Sequence, residues 1–320
     1  MSPHRQPTAP TPRLHFGTPP ADAVAALGGL GYGTPALPGL ALSPLRSLAA
    51  PVAELWFGSG KVQRAAGGGF ESGADGELMF ASLRLNDVPD MDAAAFEAYR
   101  RIGEFLEHHG YPHLLRVWNY FPRIHDGEGD AERYRQFCVG RHRALSHREG
   151  FEQRLCAATV IGADGGDFLI YFLAARVPGR AVENPRQVSA YRYPREHGPK
   201  SPSFARATLC GSLLLVSGTA SIVGHGTRHA GDAGAQMQEV IANLGSLLAH
   251  TGRAHFHGRD GWVARALKLY VRAADDAPRA LAALQHFAAG RCAIAVLQGD
   301  ICRRELVVEV EGVFEMPAAG

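Results

Sequence analysis

Apolar residues recur along this chain with two periods. In two stretches they fall at helical spacing: Phe96, Tyr99, Ile102, Phe105 and Leu106 form one stripe, and Met237, Val240, Ile241, Leu244, Leu247 and Leu248 form another. A glycine follows each stripe, Gly110 and Gly252, where a left-handed C-terminal cap is wanted. Each predicted helix leads into a strand-like run, "LLRVWNYF" from Leu114 and "ARALKLYV" from Ala264. Near the C-terminus the period drops to two. There Leu306, Val308, Val310 and Phe314 fall on one face of a predicted strand, and Glu305, Val307, Glu309 and Glu311 on the other. A solvated outer face is the ordinary reading of such carboxylates.

Three pairs of segments recur in the same order. "GELMFAS" (Gly76 to Ser82) matches "GSLLLVS" (Gly211 to Ser217), "IGEFLEHHG" (from Ile102) matches "LGSLLAHTG" (from Leu244), and "CAATVI" (from Cys156) matches "CAIAVL" (from Cys292). The pattern predicts two copies of one unit: strands, helix, strand, a second helical stretch, closing strands. The expected fold class is α+β, two tandem units, each a mixed sheet with helices on one face. Packing the copies on each other would bury the bare sheet faces and leave a pocket at the seam. The boundaries read as a Pro/Gly-rich leader at 1–45, an N-terminal unit at 46–184 and a C-terminal unit at 185–320. The leader's Gly run has no clear strand before it or helix after it, so it is not a phosphate cradle. Aligning the closing strands, "GDFLIYFLA" with "RELVVEVEG", sets Tyr171 against Glu309 and Leu173 against Glu311. One copy carries carboxylates and the other does not, an asymmetry that points to chemistry in one and shape in the other.

Composition narrows the partners. With 33 basic and 31 acidic residues in 320, net +2, there is no field to draw in nucleic acid or an anionic membrane. Apolar runs such as "LLLV" (Leu213 to Val216) are too short to span a bilayer, and the first residues lack the apolar core of a secretory signal, so a cytoplasmic location is expected. Five scattered cysteines without a Cys-x-x-Cys pair suit reduced thiols.

The second copy resembles the reactive-intermediate deaminase (RidA, or YjgF-like) superfamily in "SPSFARATLCGSLLLVSGTASIVG", "AQMQEVIANLGSLLAHTG", "LKLYV", "GRCAIAVL" and "LVVEVEG". Over residues 50–315 the chain resembles the chorismatases. The residues that carry this are "RVWNYFPRI" (from Arg116), "RYRQFCVGRHRA" (from Arg133), "PRQVSAYRYP" (from Pro185), "SFARA" (from Ser203), "VSGTASIVGH" (from Val216) and "DICRREL" (from Asp300). Two positions depart from the family pattern: Gly226, where many members are acidic, and His197, where a tyrosine is common. The resemblance implies cleavage of chorismate into pyruvate and 3-hydroxybenzoate, with 4-hydroxybenzoate or a dihydroxycyclohexadienoate as other products. It implies no cofactor. A RidA-like metabolite-binding or imine-deaminase module is the alternative. The superfamily's trimers leave a monomer or a homotrimer as the expected states.

Chorismate bears two carboxylates and an enolpyruvyl ether, so its cleavage calls for a protonated acid and fixed cations. A carboxyl on a half-buried face beside another carboxyl keeps its proton at neutral pH. Glu309, with Glu311 two residues on, fits, and it matches the family's acid residue. Arg291 matches the superfamily's carboxylate-binding arginine; Arg206 and Arg141 are further candidates, against the alternative of surface ion pairs. Tyr191 and Tyr193 would share a strand face and present hydroxyls to the substrate, or else form a core aromatic pair. Cys302 is either a buried inert thiol or, with Gly218, the mark by family resemblance of the 3-hydroxybenzoate branch. No metal site is expected. His225 and His229 are four apart but set among glycines, and His255 and His257 share a face only if they lie on a strand.

Overall fold

The computed structural model describes residues 10–34, 40–147, 149–256, 261–290 and 292–316, without the side chains of 253–256. Three strands fall within 1–45, the stretch expected to be a leader. Strands β1 (Arg13–Gly17), β2 (Gly28–Tyr32), β3 (Leu40–Leu42) and β5 (Val52–Phe57) form a four-stranded sheet in the order β1-β5-β2-β3, while β4 (Arg46–Ser47) crosses to the edge of a distant sheet. The glycines that suggest a loop are there because β2 has no room for a Cβ at their positions. A Cβ at Gly29 would stand 2.0 Å from the Glu54 carbonyl oxygen, and one at Gly28 would stand 2.4 Å from the Phe80 ring.

The first unit comprises β6 (Gln63–Gly67), β7 (Phe70–Ala74), β8 (Leu78–Leu85), α1 (Met91–His109), β9 (His113–Pro122), α2 (Arg133–Leu145), β10 (Ala157–Ala163) and β11 (Phe168–Ala175). The second comprises β12 (Arg180–Val182), β13 (Ala207–Cys210), β14 (Leu213–Ala220), the hairpin β15 (Ile222–Val223) and β16 (Gly226–Thr227), α3 (Ala233–Phe256), β17 (Val263–Val271), α4 (Ala277–Phe287), β18 (Ala293–Gln298) and β19 (Val308–Glu315). The sheet orders β10-β9-β11-β8-β7-β6 and β18-β17-β19-β14-β13-β12 superpose, as a duplication requires. Even an irregularity is duplicated: Leu115 is skipped between β9 and β11, and Arg265 between β17 and β19. The α+β tandem architecture expected from the sequence is the one observed.

That shared irregularity corrects the alignment of the closing strands. Tyr171 pairs with Trp118 and Leu169 with Tyr120, while Glu311 pairs with Lys268 and Glu309 with Tyr270. Glu311 therefore corresponds to Tyr171 and Glu309 to Leu169, a shift of two residues. A shift of two preserves the face, so the asymmetry between copies stands. The predicted alternation also begins later than expected. Residues 303–307 are a turn that leaves Leu306 in the seam and Val307 against the α3/α4 side; β19 alternates from Val308 onward.

Both helical stripes are buried against their own sheets. Asp90 caps α1 by accepting from the Ala93 N–H, and Gly110 ends it at φ +76°. Gly252 does not end α3, which runs on to Phe256. Leu247 and Thr251 still face the core there, and the Thr251 hydroxyl donates to the Leu247 carbonyl (2.7 Å), so the amphipathic face continues past the glycine.

The helix-free faces of the two sheets meet, and the N-terminal sheet closes the side of the seam. One apolar cluster spans all three, with Leu30 and Trp56 from the N-terminal sheet, Trp118 and Leu173 from the first unit, and Leu215 and Leu297 from the second. Inside it lies a charged network. Lys268 contacts Glu54 (2.6 Å), Glu311 (2.8 Å) and the Tyr171 hydroxyl (3.0 Å). Arg116 holds the other oxygen of Glu311 at 2.8 Å, and the Trp118 and Trp56 indoles donate to Glu311 (2.6 Å) and Glu54 (3.0 Å). Four phenols, Tyr32, Tyr120, Tyr171 and Tyr270, join hydroxyl to hydroxyl beside it. Two cations balance two carboxylates, and every charged group is paired, which is the condition for burying them. Lys268→Met leaves both carboxylates short of a cation and is expected to cost about 3–5 kcal/mol, read as a lowered urea midpoint.

A candidate active site at the seam

The second sheet's β14 bulges between Val216 and Thr219, beside the first sheet's edge strand β10. The second unit's side chains cap that edge: the Ala157 and Ala158 N–H groups donate to the hydroxyls of Thr208 (2.8 Å) and Ser217 (2.9 Å). Below the bulge a cavity of about 590 Å³ opens, large enough for a small organic molecule. Ala158, Thr159 and Val160 come from one unit; Gly218, Ala220, Cys302 and Glu309 come from the other.

Glu309 is 5% exposed, yet no described residue donates a hydrogen bond to it or pairs with it. Burial first, then the neighbouring charge of Glu311, pushes its carboxyl up to about 8, against the weaker pull of Arg116 and Arg206. Glu311 is equally buried and goes the other way. Burial would raise it, but the Lys268 ammonium and the Arg116 guanidinium outweigh burial and hold it below the ordinary carboxylate value. At neutral pH one carboxyl keeps its proton while its neighbour is an anion.

Gly218 has a steric role. A Cβ there would fall 2.0 Å from Glu309 Oε1 and 3.3 Å from Thr159 Oγ1. The Gly218 N–H donates to Thr159 Oγ1 (2.9 Å), which also accepts from Arg116 (2.6 Å), so the bulge is tied to the buried charge network.

The cations are Arg135, Arg206, Arg303 and Arg304, all on the cavity wall. Arg206 is buried and donates to the Val188 carbonyl (2.8 Å) and the Tyr193 hydroxyl (2.7 Å); its Nε has no partner. Arg303 is fixed by the His225 carbonyl and the Thr227 hydroxyl, both at 3.0 Å, and lies over the Tyr193 ring. Cys302 is a neutral thiol, pushed up to about 12 by burial and by the carboxyl of Glu309.

Of the residues singled out in the sequence, Glu309, Cys302, Arg206, Tyr193 and Gly218 meet here. Tyr191 does not. "SAYRYP" is a short turn rather than a strand, so Tyr191 and Tyr193 part, and Tyr191 packs under Arg192. Arg141 is also elsewhere, buried on the α1 side of α2. Arg291 lies outside the described residues. Arg135, Arg303 and Arg304 sit within "RYRQFCVGRHRA" and "DICRREL", but nothing in a run of arginines tells which one turns inward.

At the rim, His197 Nε2 and His225 Nδ1 are 3.0 Å apart and Glu196 is 3.3 Å from each, a set with the donors and spacing for a divalent cation. His229 turns instead to Glu239 (3.5 Å). His255 lies on α3, not a strand, and His257 is outside the described residues.

A cavity between duplicated units, with a protonated carboxyl facing several arginines, defines a site for an anionic small molecule. Comparison with known proteins agrees on the lineage. Residues 54–174 match the family model described as chorismatase FkbO/Hyg5-like, N-terminal. The chain is 36% identical to a 3-hydroxybenzoate synthase from Streptomyces hygroscopicus over 86% of this chain and 85% of that one. It is 35% identical to a chorismatase from Streptomyces rapamycinicus over 82% and 81%. A chorismatase crystal structure superposes with a TM-score of 0.83 at 31% identity, covering 95% of this chain and 98% of the other. The chain belongs to the chorismatase family.

The raised pKa of Glu309 has a stability consequence. Between about pH 4.5 and 8 the folded protein holds a proton on Glu309 that the unfolded chain releases, so this group costs stability as pH rises, by at most about 1.4 kcal/mol per pH unit. Glu309→Gln removes that slope. The variant is expected to gain on the wild type from pH 5.5 to 8 in paired urea titrations.

Proposed function

We propose that this chain cleaves the enolpyruvyl ether of chorismate to pyruvate and 3-hydroxybenzoate, with Glu309 as the acid. The observation that carries the proposal is a buried carboxyl, raised to about 8, with no partner among the described residues, in a cavity walled by arginines. Glu309 gives its proton to the terminal methylene carbon of the enolpyruvyl group, and an oxocarbenium ion forms at the ether carbon. The ring hydroxyl next to the ether then attacks that carbon and passes its proton to the ether oxygen; the ketal opens as that oxygen stays on the ring as the future phenol, and the attacking oxygen's own bond to the ring breaks so that it leaves as the ketone of pyruvate. The ring loses a proton as it becomes aromatic, which restores Glu309. Chorismate is isomeric with pyruvate plus 3-hydroxybenzoate, so no water is consumed; attack by water instead would give the dihydroxycyclohexadienoate.

Arg206, Arg303 and Arg135 supply fixed positive charge for the two substrate carboxylates. Glu311, already an anion held by Lys268 and Arg116, cannot take the proton meant for the substrate; its negative charge stabilises the cation instead. The 3-hydroxybenzoate branch rests on the Cys302 and Gly218 pair and on the name of the Streptomyces hygroscopicus relative. The cysteine's neutral thiol presents a weakly polar wall near the acid, where a bound water would compete with the ring hydroxyl.

Purified protein with chorismate is expected to release pyruvate, followed with lactate dehydrogenase, and Glu309→Gln to lose at least about a hundredfold in kcat. Full activity in that variant overturns the assignment of the acid; no pyruvate from folded wild type overturns the reaction. The rate kcat/KM should fall as pH rises through about 8, as Glu309 loses its proton. Gly218→Ala displaces the Glu309 carboxyl and should lower kcat and change the aromatic products separated by chromatography.

A further inference from the structure

Arg141, absent from the seam, lines a second cavity of about 520 Å³ that shares no residue with the first. It lies between α1, α2 and the corner after α2. Its walls are largely apolar, with Ile102, Leu106, Leu114, Leu145, Phe151 and Leu155. Arg141 itself is 3% exposed. Its Nε is buried without a hydrogen-bond partner, and among the described residues no carboxylate lies within ion-pair distance of it. The guanidinium rests on the Tyr99 ring (4.7 Å) and near the Phe137 ring (6.0 Å).

A buried guanidinium demands a counter-charge, and the neighbouring groups cannot supply one. The Tyr99 phenol and the Cys138 thiol are both pushed up to about 12, chiefly by burial, and are neutral at physiological pH. Tyr99 already donates its proton to Asn119 (2.7 Å). Of the acidic residues on the cavity wall, Glu104 is engaged by Arg100 and Glu107 has its own partner. We propose that this cavity binds a small aryl monocarboxylate, its carboxylate forked on Arg141 and its ring against the apolar wall. A strongly hydrated inorganic anion would satisfy Arg141 but leave that wall wet. The site is independent of the reaction at the seam. The two cavities lie on either side of the start of β10: Cys156, just before the strand, lines this one, and Ala158 lines the other.

The test titrates wild type, Arg141→Met and Leu145→Trp with 4-fluorobenzoate, read by 19F NMR, and with inorganic phosphate as the control anion. Arg141→Met keeps the apolar stem, and Leu145→Trp fills the cavity without touching the charge. The expected result is a bound component weakened by roughly 10- to 100-fold in Arg141→Met and lost in Leu145→Trp, with melting temperature and pyruvate release unchanged in the latter. Titrations of folded Arg141→Met and Leu145→Trp that superimpose on wild type would overturn the proposal, as would phosphate displacing the aryl ligand at equal concentration. Should Arg141→Met fail to fold, the Leu145→Trp comparison decides alone.

Discussion

Two glutamates stand two residues apart on one strand face, both out of water, and they must not share a charge state. Left to themselves, adjacent buried carboxyls both rise, and the proton between them belongs to neither. Here the conflict is resolved by anchoring one of them. Lys268, Arg116 and the Trp118 indole fix Glu311 as an anion, and its field then works on Glu309 in the direction burial already favours. A carboxyl that keeps its proton near neutral pH is thus built by a salt-bridge network whose own members do not line the cavity.

That requirement explains the third sheet. Lys268 faces two carboxylates, and the second, Glu54, comes from β5 in the N-terminal sheet with Tyr32 and Trp56 around it. Without Glu54 the network would hold two cations against one anion. The segment whose Pro and Gly content resembles a leader therefore supplies β1 and β2, the strands that flank β5 and hold one of four balanced charges in place. Its glycines mark close backbone approach to Glu54 and Phe80, not freedom. Composition cannot distinguish the two, because both call for the absence of a side chain.

Much of the rest was legible because it follows from periodicity. The two helical stripes, the paired strands and the order of the units all repeat at fixed intervals, and burial of one face leaves a regular trace. The identity of Glu309 was legible for a related reason, since a carboxylate pair in one copy has no counterpart in the other. The residues that escaped are those whose direction is set by irregular backbone. Tyr191 and Tyr193 separate because "SAYRYP" turns, and the closing strands align two residues off because the connection before β19 (299–307) is longer than the one before β11 (164–167), which alternation alone does not register. Arg141 shows the limit most plainly: within one motif Arg135 reaches the seam and Arg141, six residues on, faces α1.

The duplication also shows why the carboxylate pair stands in one copy. In the first copy the positions of Lys268, Glu311 and Glu309 are held by Trp118, Tyr171 and Leu169. Trp118 and Tyr171 stack with ring centroids 4.4 Å apart and nearly parallel planes, and both hydrogen-bond into the network of the other copy. A second set of charges there would face the first across the seam and double the number of ions to be buried. At these positions aromatic rings with polar edges serve instead, Trp118 donating to Glu311 and Tyr171 accepting from Lys268 without adding charge, so the first copy's one ion in the network is Arg116. The first copy thus supplies Arg116, the second Lys268 and Glu311, and the N-terminal sheet Glu54, so the four buried charges balance and Glu309 is left outside them.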